Sequence, residues 1–131
     1  MLLDDLSAYL ATASFAYPVQ KGQLLEIPDS VLALRETGGF PAQFVMGPTG
    51  NASQAVVDEP TLQVVTRSKD YLTAMTICRT AYDLLNGLRD ITVNNVLYHL
   101  VRALQPPFFL MRDDNQRYLC AFNLHVTRRT I

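Results

Sequence analysis

The chain has 131 residues, 49% of them hydrophobic and 18% charged, with a formal net charge of −1. This length fits a single folded domain spanning residues 1–131, and the near-zero charge excludes a general attraction to nucleic acid or to an anionic membrane. No apolar run approaches the roughly 18 residues of a membrane-spanning helix, and Asp4 and Asp5 stand where a secretory signal carries basic residues. We therefore expect a soluble, cytosolic protein with no membrane partner.

The chain begins with the spacing of a short amphipathic helix. Asp4 and Asp5 fall in its first turn, where the helix dipole favours negative charge, and Pro18 ends any continuation. The apolar stripe consists of Leu2, Leu3, Leu6, Tyr9, Leu10 and Ala13. We expect this N-terminal helix to pack through its stripe on the rest of the fold.

The next patterned segment, Asp29–Glu36, mixes aliphatic and polar residues and leads to a pair of glycines. The pattern favours a strand that runs into Gly38 and Gly39. The alternative is a helix that begins at Pro28 and uses Gly38 as its C-terminal stop. Both interpretations stay open on the sequence alone.

Residues 37–60 are the most unusual segment, because their pattern is that of neither helix nor strand. They contain four of the six glycines and three of the seven prolines, and loops this long are uncommon inside compact domains. No charge occurs between Thr37 and Val57, whereas disordered segments are rich in charge and poor in aromatic residues. The sequence therefore predicts an extended arm or loop that lies against its own domain or against another chain.

A strand and a long helix follow this arm. Thr61–Arg67 is rich in β-branched residues and predicts the strand, after which Ser68 or Asp70 caps a helix that extends to about Leu88. Its apolar stripe consists of Ala74, Ile77, Cys78, Ala81, Leu84, Leu85 and Leu88. Burial of each large aliphatic side chain is worth ~1.5–3 kcal/mol before entropy, so this helix is the predicted centre of the core.

The remainder of the chain predicts three strands. They are Val93–Ala103, Phe108–Arg112 and Arg117–Thr127, and the turn-rich stretch Asp113–Gln116 separates the last two. Along the final strand, one face at period two consists of Tyr118, Cys120, Phe122, Leu124 and Val126. The fold class is therefore α+β: a mostly antiparallel (mixed) sheet with the long central helix and the N-terminal helix packed on it, plus the long extended loop.

Residues that carry enzyme chemistry are sparse. The sequence has no Gly-rich phosphate loop, no nucleophile elbow and no paired Cys or His at metal spacing. We interpret His99 and His125 as structural residues of strands, and Cys78 and Cys120 as buried thiols in a reducing compartment, with a disulfide as the alternative. Asp113-Asp114 is interpreted as a solvated turn, so we expect no catalytic residue, no cofactor and no metal.

Three further features each have two interpretations. Phe108–Met111 is either a strand buried on both faces, which we favour, or a strand with one face turned toward a partner. Arg128-Arg129 meets an acidic partner or is solvated. Arg67, Arg79 and Arg89 flank the central helix, and we expect solvated surface positions for each.

The order of motifs in the middle of the chain is distinctive. Arg35–Gly39 leads to the strand Glu59–Arg67, and the helix that follows begins Tyr71-x-x-Ala74 and ends at Leu84–Leu88. The C-terminal part adds Phe109-Leu110, a hairpin turn and Phe122-Asn123-Leu124-x-Val126. From Leu34 to Arg128 this arrangement resembles the small minor capsid or tail terminator family of long-tailed bacteriophages.

The resemblance implies a non-enzymatic assembly protein of the virion. Tail terminators of this kind form a ring, usually a hexamer, on the last ring of tail-tube subunits, where they stop tube polymerisation and dock to the head. The implied partners are other copies of the chain, the tail tube protein and a head-completion or connector protein. DNA would pass through the ring without sequence-specific recognition. The alternatives are another neck protein, such as a stopper or connector, and a small-ligand-binding α+β domain.

We expect the assembly interface to be built from the uncharged arm and from the outward side of the last strand with its basic end. The arm supplies the anchors and the strand a weaker neighbour contact. The candidate residues are Phe40, Phe44, Met46, Asn123, His125, Arg128 and Arg129.

Overall fold

The fold is seen in a computed structural model that describes residues 2–25, 28–46 and 53–130, the side chains of residues 41–46, 53–56 and 130 excepted. The helices are α1 (Leu2–Thr12) and α2 (Tyr71–Leu85). The strands are β1 (Val19–Lys21), β2 (Val31–Met46), β3 (Ser53–Ser68), β4 (Leu88–Val93), β5 (Val96–Ala103), β6 (Phe108–Arg112) and β7 (Tyr118–Thr130).

Within these residues the strands form one 7-stranded sheet in the order β1-β2-β3-β7-β5-β4, with β6 paired to β7. Only β1–β2 is parallel, and the other pairs are antiparallel. On one side β7 pairs with β3, and on the other it pairs with β6 through residues 118–121 and with β5 through residues 124–130. The predicted α+β class, a mostly antiparallel mixed sheet with helices packed on it, is confirmed.

The core lies between α2 and the face of the sheet formed by β3 and β7. The Asp70 carboxylate accepts a hydrogen bond from the Thr73 backbone N–H at 3.1 Å, so the predicted cap is at Asp70. The buried face of the helix consists of Ala74, Ile77, Cys78, Ala81 and Leu85. The helix ends at Leu85 rather than near Leu88, because Asn86 is its C-cap and Gly87, with φ 89°, turns the chain into β4.

The predicted alternation of the last strand is confirmed from Phe122 to Val126, whereas at Leu119 and Ala121 the opposite face is buried too. Cys120, Phe122, Leu124 and Val126 are fully buried on the helix side of β7. The two cysteines are free and buried there, and burial raises the pKa of the Cys78 thiol to about 12. Both thiols are therefore unreactive parts of the core, as expected.

Helix α1 closes the curled sheet. It packs through Leu2, Leu6 and Leu10, which confirms its predicted stripe. The helix contacts β1 and β2 at one end of the strand order and β4 at the other. Since β1 and β4 are the terminal strands of that order, the sheet must curl around the helices for one helix to touch both.

A buried carboxylate fixes α1 to the β4–β5 hairpin. Asp5 is fully buried, and it accepts hydrogen bonds from the Tyr98 hydroxyl at 2.5 Å and from Asn94 Nδ2 at 2.8 Å. Burial, with this hydrogen bond to Asp5, raises the pKa of Tyr98 well above its usual range. Asp5, which was predicted to complement the helix dipole, thus also makes a tertiary contact across the fold.

The prediction that residues 37–60 are irregular is wrong for the part that the structure describes. β2 continues to Met46 and β3 begins at Ser53, so these residues form the outer part of a long β-hairpin. The register shifts between Glu36 and Gly38 and twice more between Phe40 and residue 44. Each shift breaks the period-two pattern that identifies a strand in a sequence. Residues 47–52 of the predicted arm lie outside the described residues.

Of two further elements, one agrees with its favoured interpretation as a strand and the other differs from prediction. Asp29–Glu36 leads into strand β2, so the helix alternative for it is wrong. Four strands rather than three follow α2, because the stretch after the helix is β4. Asn94 and Asn95, with φ 50° and 64°, make the tight turn between β4 and β5. The predicted strand Val93–Ala103 contains this turn. An asparagine pair, which readily adopts the left-handed conformation, is the sequence signal for such a turn.

Candidate assembly interface

The hairpin projects beyond the sheet to which it belongs. β1 covers β2 only at residues 32–34, and the pairing of β3 with β7 extends only to Asp58 opposite Arg128. From Arg35 to Met46, β2 has no described partner other than β3. We call residues 37–46 and 53–60 the hairpin arm. Its outer edges present unpaired backbone N–H and C=O groups, which are a template for pairing with another chain.

A cluster of side chains around Phe40 and His125 lies at the root of the hairpin arm, on the helix-free face of the sheet, and we call it the root cluster. Phe40 is 58% exposed, and its ring meets that of His125 edge-on, with 5.1 Å between centroids. Glu59 Oε1 lies 3.4 Å from His125 Nε2, which is ion-pair distance when the ring is protonated. This nitrogen is buried and makes no hydrogen bond among the described residues. Arg102 Nη2 lies 3.5 Å from Nδ1 of the same ring. The structure therefore brings two of the candidate residues, Phe40 and His125, together.

Glu59 and Arg102 are members of this cluster that the sequence analysis missed. Both are set by register, because Glu59 pairs with Phe40 across the hairpin and Arg102 pairs with His125 across β5 and β7. Strand registers follow from turns and bulges, so the only sequence signal for these contacts was the acidic pair Asp58-Glu59 that follows the uncharged stretch.

Asn123 lies two residues before His125 on the same face of β7. Its N–H is 3.4 Å from Gln105 Oε1, and its C=O accepts a hydrogen bond from the Leu104 N–H at 2.9 Å. The backbone of Asn123 therefore holds the β5–β6 connection, while its side chain stays partly exposed.

The remaining candidates are not gathered into this cluster. Arg128 Nε is 4.0 Å from Asp58 Oδ2, and its guanidinium lies beside the Tyr98 hydroxyl on the helix side. Arg129 is exposed near the end of β7. The backbones of Phe44 and Met46 lie in β2, opposite residues 55 and 53, and their side chains are outside the description.

A second exposed apolar surface lies on β6. Phe109, Leu110 and Met111 are 45%, 36% and 51% exposed, so the interpretation of this segment as a strand buried on both faces is wrong. Phe108 alone packs under the sheet, against the small cluster around Val65. The favoured interpretation failed because an apolar run looks the same whether its second face is covered or bare.

The two faces of β6 have different neighbours. On the helix side, the Phe109 ring lies 5.9 Å from that of Tyr71 and 6.2 Å from that of Tyr118. On the helix-free side, an apolar groove of about 120 Å³ is lined by Leu24, Ala33, Val65, Leu110, Met111 and Leu119, with Arg35. We call Phe109, Leu110 and Met111 with this groove the β6 surface.

One of the three arginines expected at solvated positions is buried. Arg67 is 2% exposed, and its guanidinium donates to the backbone carbonyls of Pro28 and Asp29 at 2.5 and 3.3 Å. Arg79 and Arg89 are exposed, as expected. The solvated position predicted for Arg67 is wrong because chain-distant carbonyls, which the sequence cannot place, satisfy its donors.

One acid of the β6–β7 turn, Asp113, is likewise structural, whereas Asp114 is exposed. Burial alone would raise the pKa of Asp113, but hydrogen bonds from the Arg117 backbone and guanidinium, the latter at 2.8 Å, hold it below its usual range. Arg117 is itself buried and also lies 3.4 Å from Asp29. Asp113 is therefore the partner of a buried arginine rather than a solvated turn residue. The described residues contain no cluster of three or more potential metal ligands.

Taken together, the described residues present a projecting hairpin whose outer part is uncharged, and exposed apolar side chains around a well-packed core. Neither described helix is long and apolar enough to cross a membrane. These are features of protein association, since contiguous exposed apolar surface marks interaction sites.

The comparisons with known proteins agree with this. The family model described as "Bacteriophage tail terminator protein" matches residues 19–130. A chain of the "Virion of native gene transfer agent (GTA) particle" has a similar fold, with a TM-score of 0.51 at 15% identity over 95% of this chain and 84% of that chain. No curated protein matches the sequence. The chain therefore belongs to the bacteriophage tail terminator protein family, and it is a structural protein of the virion tail or neck and not an enzyme.

Proposed function

We propose that this protein caps the phage tail tube as a ring, in its simplest form a homohexamer. The ring ends polymerisation of the tube protein and forms the surface that joins the tail to the head-completion or connector protein. The observation that carries the proposal is the hairpin arm, which projects from a domain that is packed without it, in a chain of the tail terminator family.

The core supports an external role for the hairpin arm. The main buried cluster includes Leu32 and Leu34 of β2 and resumes at Leu62 of β3, without any described residue of the arm. No charge occurs between Thr37 and Val57, so this part of the arm has no charged side chain that favours exposure to water. An apolar arm on one subunit and its receiving surface on the next make a head-to-tail contact. Repeated by a fixed rotation, such a contact closes into a ring.

The root cluster supports a defined anchor at the base of the arm. Phe40 is more than half exposed, yet its ring is oriented by the edge-on contact with His125. A positioned aromatic side chain loses little conformational entropy on binding, and such residues dominate the energetics of interfaces. We propose that Phe40, Phe44 and Met46 are the main anchors, and that Asn123, His125, Arg128 and Arg129 make weaker contacts with a neighbour.

Light scattering after size-exclusion chromatography, with the chain alone and with tail tubes, tests ring formation. We expect hexamer-sized rings in solution or at tube ends, where negative-stain images should show them. The double variant Phe40→Ser/Phe44→Ser should stay monomeric and folded. Leu72→Ser, at a 71% exposed position on α2, is the matched control and should form rings. Rings that persist in the double variant would refute the role of the arm, and a monomer absent from tube ends would refute the proposal.

Tube growth separates a terminator from another neck protein. Purified tube protein that polymerises in the presence of this chain should give tubes of arrested length, with the chain at one end. A stopper or connector would instead leave the tube length unchanged and bind on the head side. Unlimited tube growth in the presence of excess chain would favour that alternative.

A further inference from the structure

We propose that the β6 surface of one copy receives the hairpin arm of the next copy in the ring. This inference rests on the proposed function, because it specifies where the arm binds. It assigns a partner, a second copy of the chain, to the exposed apolar side chains of β6.

The edge of β6 is open to another strand. β6 pairs with β7 on one side, and no other described strand pairs with it. The strand has five residues, and its register with β7 shifts between Phe109 and Met111. A short, bulged strand blunts an edge, but here the exposed apolar side chains Phe109, Leu110 and Met111 favour strand addition, in which main-chain hydrogen bonds supply affinity and side-chain pockets supply specificity.

Both faces of β6 offer such pockets. Side chains of an added strand alternate between the faces at period two. On the helix side they would meet the rings of Phe109, Tyr71 and Tyr118, and on the other side the groove beside Leu110 and Met111. Few soluble proteins leave a strand apolar on both faces at an open edge, and an incoming strand would cover all of these side chains at once.

The charge of the site selects the occupant. The groove is apolar except for Arg35, whose guanidinium already donates to Gln63. An incoming basic side chain would be buried next to the like charge of Arg35, and an acidic one would find this single partner in an otherwise apolar groove, so burying a charge here is costly. The hairpin arm has no charge between Thr37 and Val57, so it is the segment of this chain that fits.

The position of the two surfaces requires that they meet between copies. Met111 pairs with Leu119 near the start of β7, whereas the arm leaves the sheet where Asp58 pairs with Arg128. The part of β7 between these pairs spans roughly 30 Å at about 3.3 Å per residue, and the arm points away from β6. The arm therefore extends away from the β6 strand of its own subunit, as a head-to-tail ring requires.

Cysteine cross-linking between differently substituted copies tests this arrangement. One full-length chain carries Gln43→Cys in the arm and another carries Met111→Cys on β6. The native thiols do not interfere, because both are buried with raised pKa values. The mixed chains are assembled on tail tubes and treated with a short bis-maleimide. We expect a heterodimer yield about ten-fold above that of a control mixture with Leu72→Cys in place of Met111→Cys, since ring contact raises the effective concentration.

A second acceptor variant, Leu110→Cys, keeps the test valid if Met111→Cys does not fold. Rings that form with cross-linking no higher than the Leu72→Cys control overturn this inference and leave the proposed function standing. Absence of rings on tubes overturns both. A cross-link from position 43 to the tube protein, in place of a second copy, overturns the inference and assigns the arm to the tube.

Discussion

The two halves of strand β2 differ in the exposure of their side chains. Val31, Leu32, Ala33 and Leu34 are fully buried in the sheet, whereas every residue from Arg35 to Phe40 is exposed. One continuous strand therefore serves the core with its first part and leaves the domain with its second. The comparison teaches that stability and assembly are separable along the same backbone, so substitutions in the two halves should affect different measurements.

The largest expected effect comes from breaking the core into which the first half of β2 packs, at Phe122 of β7. Phe122 is fully buried in the sheet, and its ring meets that of Tyr82 edge-on at 5.5 Å. Phe122→Ala removes this packing and leaves a cavity, so we expect a loss of about 3–5 kcal/mol in the free energy of unfolding. Phe40→Ala, the same change in the exposed half of the hairpin, should cost at most about 1 kcal/mol. Urea unfolding measures both, and equal losses would place Phe40 in the core.

A smaller effect is expected where α1 closes the curled sheet. Asp5→Ala leaves the Tyr98 hydroxyl and Asn94 without their shared acceptor, at a cost of about 1.5–3 kcal/mol. Tyr98→Phe removes one of the same bonds, so the double variant should lose less than the sum of the single losses. Asp4→Ala is the control, because Asp4 is half-exposed and pairs only with the exposed Lys21 among the described residues. Additive losses in urea unfolding would contradict a shared bond.

The elements of the packed core could be predicted from the sequence, and the strands of the arm could not. The stripe of α2 and the alternation of β7 are periodic, and their periods survive in the structure because each element packs one continuous face. In the arm, bulges near Gly38 and Gln43 shift the register, so the outer strands of the hairpin have no period to detect. The contact of Phe40 with His125 depends on the same register and could not be predicted either.

Buried charge was the other feature that the sequence could not reveal. Arg67 and Asp5 are common surface residues, and their burial depends on the carbonyls of residues 28 and 29 and on Tyr98. These partners are distant in the chain, so no local pattern indicates them. Only the kind of site could be predicted, because an uncharged apolar arm implies a partner. The contacts of His125 with Glu59 and Arg102 depend on the folded sheet.

A small expected effect on stability, paired with a large one on assembly, comes from the glycines at the root of the arm. A Cβ at Gly39, where φ is 151°, would lie 2.6 Å from the Glu59 carbonyl oxygen, so Gly39→Ala must push the two strands of the hairpin apart. Gly38, with φ 106°, has nothing within 4 Å, so Gly38→Ala introduces backbone strain without a clash. Because the described core does not include the arm, neither variant should lose more than about 1–2 kcal/mol of unfolding free energy. Ring formation should fail in Gly39→Ala and be retained in Gly38→Ala, as judged by light scattering and negative-stain images of tails. If Gly39→Ala instead unfolds the domain as Phe122→Ala does, the hairpin is part of the core, and stability and assembly are not separable along β2.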